Sequence, residues 1–169
     1  YRIIIARYYG PEVYGLFSLV IMILGWIVAF SSLGLSDGLL RFIPQYRGKN
    51  ELNKVSYLFK LTEKIFLATG IFSAILLFLL SEFIAINIFH NPELTILLKI
   101  LSFFVPIAVI SFPPLIIIRG YELISSYSFI YNILQNLIRV LVLIVLMMLG
   151  FKASSTVISY CLGFLAIFI

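Results

Sequence analysis

From Val13 to Ser36 the chain carries no charged residue at all. A helix needs about 20 mostly apolar residues to cross a hydrocarbon core of roughly 30 Å. Three further runs of that kind follow. Ile65 to Phe89 holds a single charge, Glu82, and ends at the turn-forming cluster His90-Asn91-Pro92-Glu93. Leu94 to Ile118 holds Lys99 near its start and Pro106, Pro113 and Pro114 within it, so this helix is expected to kink. Phe129 to Phe151 is interrupted by one polar group, and a fifth run begins near Ser155 and continues to Ile169. No strand-like alternation is visible, which leaves a helical bundle.

Composition closes off the alternatives. Hydrophobic residues make up 63% and charged residues 11%, and the mean hydropathy is +1.17. A water-soluble domain of this size cannot cover that much apolar surface. A soluble enzyme, a disordered segment and a nucleic-acid-binding domain are therefore excluded, although the net charge is +5. The reading is an all-α, multi-pass transmembrane bundle. The one cysteine, Cys161, sits in an apolar run and reads as a small packing residue. The opening Tyr1-Arg2-Ile3-Ile4-Ile5 resembles the tail of an earlier helix, and the chain stops in an apolar run, so both ends look cut from a longer protein.

The basic residues suggest an orientation. Arg41, Arg47, Lys49, Lys54, Lys60 and Lys64 fall between Asp37 and Lys64, and Arg119 falls in the next loop on that side. The opposite side holds Arg2, Arg7, Lys99 and Lys152. The excess favours a cytoplasmic 37–64 loop. That basic stretch could also lie against anionic lipid headgroups, though topology signalling alone accounts for it.

Two segments carry a family likeness. One is Ala6-Arg7-Tyr8-Tyr9-Gly10-Pro11-Glu12-Val13-Tyr14-Gly15-Leu16-Phe17-Ser18. The other is Leu33-Gly34-Leu35-Ser36-Asp37-Gly38-Leu39-Leu40-Arg41-Phe42-Ile43-Pro44-Gln45-Tyr46. With the Arg119-Gly120-Tyr121 turn, they resemble the polysaccharide transporter family, the Wzx-type oligosaccharide flippases of the multidrug, oligosaccharidyl-lipid and polysaccharide exporter superfamily. The chain departs from the pattern at Gln45, where an acid is common.

The resemblance implies a two-lobe fold around a central cavity, of which this chain would be most of the N-terminal six-helix lobe. Residues 1–12 would then be the end of the first helix and a turn. Spans would cover 13–36, 65–89, 94–118 and 129–151, with the next beginning at 155–169. It also implies a lipid-linked oligosaccharide as substrate, alternating access, and possible company from polysaccharide polymerase or assembly proteins.

Asn132, Gln135, Asn136 and Arg139 recur at i, i+3, i+4 and i+7 and so share one helix face inside a span. An arginine there costs a few kcal/mol at least, roughly, unless it meets protein or water. Two readings fit: a hydrated cavity wall in which Arg139 meets a phosphate group, or a stripe that hydrogen-bonds neighbouring helices. Arg41 stands one turn after Asp37, which suggests an i, i+4 salt bridge or an attraction for phosphates at the cavity mouth. Gly34 with Gly38 and Gly70 with Ala74 read as close-packing pairs.

Glu82 is a candidate for H+ or Na+ coupling, or simply an interfacial carboxylate. The lone His90 makes no metal site, and no catalytic constellation or cofactor motif appears. Other functions remain open. They include a multidrug or cation antiporter, which would want acidic cavity residues, and a peptidoglycan-precursor flippase. A non-transporting scaffold of a polysaccharide assembly complex is a third.

Overall fold

The computed structural model describes residues 1–150 and 153–168; Phe151, Lys152 and Ile169, which end two expected spans and carry one counted charge, lie outside the described residues. The described residues are helical apart from short turns. The order is α1 (Arg2–Ser31), α2 (Leu35–Gly48), α3 (Leu52–Phe83), α4 (Glu93–Ile110), α5 (Phe112–Gly120), α6 (Ile124–Ser128), α7 (Gln135–Met148) and α8 (Ala153–Leu162). Wider π-turns extend α3 through Ile84–Ile88 and join α6 to α7 through Phe129–Leu134, and a 3-10 segment, Gly163–Phe168, follows α8. Four stretches are long and apolar enough to cross a membrane: Arg2–Ser31, Leu52–Ile88, Glu93–Gly120 and Ile124–Met148.

Helix α1 is two segments joined at Gly10, whose φ of 87° and ψ of 173° break the helix. Glycine alone tolerates that region, and Pro11 next to it disfavours a helical predecessor while suiting the start of the second segment. The first segment folds back on the second: the Tyr1 ring meets the Phe17 ring edge-on at 5.8 Å. A continuous helix would hold them about 24 Å apart. Ile5, Phe17 and Leu143 close a small core there. Replacing Gly10 with alanine is expected to cost about 1–3 kcal/mol, read as a lower melting temperature in detergent; an unchanged value would show that the turn is not strained.

Residues 37–64, expected as a loop, are instead helical except around the turn at Asn50, whose φ is 59°. Leu39 and Ile43 of α2 pack with Val55 of α3 and Ile116 of α5 into a second core. The pattern that drives this is the i, i+4 spacing of Leu39 and Ile43, which puts both on one face of α2 with Arg41 on the opposite side. The first full span also ends earlier than expected, at Ser31, because Leu33 and Gly34 take left-handed backbone between α1 and α2.

The proline-bearing span breaks at Ser111 between α4 and α5. Pro113 and Pro114 lie in the first turn of α5 and cannot donate back to α4. The Glu93–Gly120 span, α4 with α5, is the central element: half of its most apolar stretch is buried, against 17–22% for the other three spans, and α4 supplies most of its contacts. Helix α4 packs against α1, α3 and α8. A Cβ on Gly70 would stand 3.2 Å from the Pro106 backbone and 3.3 Å from Val109, so this glycine does allow α3 to approach α4 closely. Gly34 and Gly38 do not act so, because added Cβ atoms there would meet open space. Cys161 is fully buried in the main core. Phe72, Leu79, Trp26 and Phe103 are exposed, a costly arrangement in water but a neutral one against lipid tails.

Candidate functional site

The polar stripe begins in the π-turn and continues into α7. At about 100° per residue, Gln135 and Arg139 fall on one edge of the face and Asn132 and Asn136 on the other, some 60° apart. The structure separates these two edges. Gln135 is 1% exposed and Arg139 8%, both turned to the protein, whereas Asn132 and Asn136 are exposed.

Arg139 is held by the end of α8. Its guanidinium carbon sits 3.8 Å from the centre of the Tyr160 ring and 5.4 Å from that of Phe164. Its Nε donates to the Tyr160 carbonyl at 3.3 Å. With the Gln135 amide turned to satisfy both neighbours, Arg139 Nη2 donates to Gln135 Oε1 at 2.9 Å and Gln135 Nε2 donates to the Tyr131 carbonyl at 3.1 Å. Nη1 reaches Asn136 Oδ1 at 3.5 Å, a long and weak bond. Asn136 Nδ2 donates to the Asn132 carbonyl at 2.8 Å within its own helix.

The approach of α8 depends on Gly163. A Cβ added there would lie 2.5 Å from Arg139 Cγ and 2.7 Å from its Nε. Tyr160, Gly163 and Phe164 thus make a slot of two rings with a gap between them, into which the arginine stem fits. Sequence reading missed these partners; the i, i+3, i+4 spacing of Tyr160, Gly163 and Phe164 was the available signal.

The network holds no acid. Among the described residues the one ion pair is Lys54–Glu51, with Nζ 3.0 Å from Oε1, at the start of α3. Cation–π contact and neutral oxygens lower the cost of burying the guanidinium but leave its charge in place. The arrangement therefore fixes a positive charge inside a span behind an exposed amide edge, where low surrounding polarity lets it act over several ångströms.

Arg41 lies apart from this network. It is exposed on α2, which packs on α3 and α5, whereas α7 packs on α8. The expected salt bridge is not formed: among the described residues Asp37 and Arg41 enter no ion pair. Glu82 is exposed near the end of α3, and His90 is exposed in the following turn with a φ of 52°. Among the described residues no three histidine, cysteine or carboxylate side chains cluster as metal ligands.

The family model for polysaccharide biosynthesis proteins matches residues 1–169. The chain belongs to that family. No curated protein and no solved structure matches it. For a polysaccharide biosynthesis protein built of apolar membrane-length helices, a buried cation without a carboxylate is the feature that demands a chemical explanation.

Proposed function

We propose that the protein is a flippase that moves lipid-linked oligosaccharide across the cytoplasmic membrane by alternating access, with this chain forming most of its N-terminal six-helix lobe. The observation that carries the reading is the uncompensated charge of Arg139 inside a span. Such a substrate bears phosphate or pyrophosphate beside its glycan, and a fixed cation offsets the cost of bringing that anion to membrane depth. The exposed Asn132 and Asn136 amides would face the cavity and exchange hydrogen bonds with the glycan or with water. Gln135 holds the guanidinium in place. The acyl tail stays in lipid throughout, so the protein needs only a hydrated path for the headgroup.

A cation antiporter is disfavoured, because a buried positive charge repels its substrate. The basic side, with Arg41, Arg47, Lys60 and Lys64, would face the cytoplasm, where Arg41 can attract the headgroup phosphates. Glu82, exposed near the end of α3, would be the group for coupling to H+ or Na+.

Cysteine accessibility tests the cavity. Gln135 is too buried to be informative, and Asn136 is the position to use. In the full-length protein, Asn136→Cys is expected to react with a water-soluble, membrane-impermeant thiol reagent, while Gln135→Cys stays protected. Cys161 is buried and gives no background from this chain. Protection of Asn136→Cys would mean that lipid or protein covers this edge, and the cavity reading would fall.

A further inference from the structure

A second polar feature adjoins the Arg139 network at Tyr131, whose carbonyl accepts from Gln135 Nε2 at 3.1 Å. Where α1 ends, α2 begins and α5 and α6 meet, a cleft of about 290 Å³ is lined by Ser32, Ser36, Asp37, Arg119, Tyr127 and Tyr131, with apolar side chains of α1, α2 and α5 completing it. A further space of about 410 Å³ adjoins it across Arg119 and Tyr127. The Tyr127 and Tyr131 rings lie parallel within 7°, their centres 5.6 Å apart. Arg119 rests with its guanidinium carbon 5.2 Å from the Tyr127 ring centre. Asp37 and Arg119 are both exposed and, among the described residues, neither enters an ion pair.

Several ligand classes can be weighed against this lining. One carboxylate and one guanidinium cancel, so the cleft has no net charge to attract a phosphate, and the carboxylate would repel one. The guanidinium equally disfavours a cation. A neutral, polyhydroxylated ring fits all the groups. A carboxylate accepts hydrogen bonds from two adjacent hydroxyls, a guanidinium donates to ring and hydroxyl oxygens, and serine hydroxyls do either. The electron-rich face of an exposed tyrosine attracts the polarised C–H face of a pyranose. The volume suits one ring rather than a whole repeat unit.

We infer that this cleft is a sugar subsite that binds one neutral pyranose ring of the translocated glycan, between Asp37 and Arg119 with Tyr131 as stacking platform. The inference rests on the flippase reading for the identity of the glycan, and it places glycan recognition beside the Arg139 network, with Tyr131 shared between the two.

The test uses full-length protein in detergent and glycans released by mild acid from the carrier lipid of the source cells, observed by saturation-transfer NMR. Wild type is expected to saturate the glycan signals. Tyr131→Leu and Asp37→Asn should each weaken binding about fivefold or more, while Tyr131→Phe keeps it. Equimolar inorganic pyrophosphate should not displace the glycan. Asp37 is exposed, so its variant is expected to fold like wild type, which melting temperatures check. No saturation by wild type, binding that survives both Tyr131→Leu and Asp37→Asn, or displacement by pyrophosphate would overturn the subsite. Flipping measured on the same preparations separates the two ideas. Flipping without glycan binding at the cleft removes the subsite and leaves the flippase. Binding at the cleft without flipping leaves the subsite and removes the transport reading.

Discussion

Replacing Arg139 with methionine is expected to destabilise the protein by about 1–3 kcal/mol, chiefly because Gln135 is left buried without its donor. Gln135 is 1% exposed, and its Oε1 accepts from Arg139 Nη2 at 2.9 Å. Replacing both partners together, Arg139→Met with Gln135→Leu, should return stability to within about 1 kcal/mol of wild type, since a buried charge and its polar ligand give way to packed apolar atoms. Flipping should stay about tenfold or more below the wild-type rate in both. Melting temperature gives the first result and a flipping assay the second, so a charge used for transport is separated from one used for folding. If Arg139 served only to tie α7 to α8, the double variant would recover transport along with stability. Arg139→Lys adds a further comparison. An ammonium retains the charge but cannot stack flat on the Tyr160 ring or fork its donors, so an intermediate flipping rate is expected.

A double-mutant cycle at Gly163 should show the second large effect. Its added Cβ would stand 2.5 Å from Arg139 Cγ, and the stem of a cation held by two rings has little room to move. Gly163→Ala in the wild-type background is expected to cost about 1–3 kcal/mol through overpacking. In an Arg139→Ala background the obstruction is gone, and the same substitution should cost well under about 1 kcal/mol. Thermal unfolding of the four proteins measures the coupling. Equal costs in the two backgrounds would mean that Gly163 matters for the backbone and not for the arginine slot.

The apolar runs between residues 13 and 118 placed the spans and the proline break because both follow from chemistry local to the sequence. Bilayer length sets the first, and missing N–H donors set the second. The turn in residues 1–12 was expected only from the family resemblance, and the structure places a break at Gly10. Helix α2 and the start of α3 were not, because hydropathy sees membrane spans and overlooks a short amphipathic helix whose apolar edge is Leu39 and Ile43. That edge finds its partners, Val55 and Ile116, only once α3 and α5 are in place.

The polar face of α7 was legible as a face, with Arg139 about halfway along the span. Its division into a buried edge and an exposed edge was not, because the position of α8 decides which side is covered. The Asp37–Arg41 bridge shows the limit of spacing rules: i, i+4 brings two side chains within reach, but both are exposed on α2, where water competes for each charge. The cleft at Asp37 and Arg119 joins residues from four helices and has no signature in any one of them.

The central claim is transport driven past a fixed cation, and reconstitution tests it most directly. Full-length protein in proteoliposomes, with a matched fluorescent lipid-linked oligosaccharide and an imposed ion gradient, should move the lipid between leaflets. The Arg139→Met/Gln135→Leu protein, equally stable, should lower the rate by about tenfold or more, the loss expected from about 1.4 kcal/mol of missing electrostatic stabilisation. Absence of flipping by the wild type, or equal flipping by the two proteins, would contradict the account.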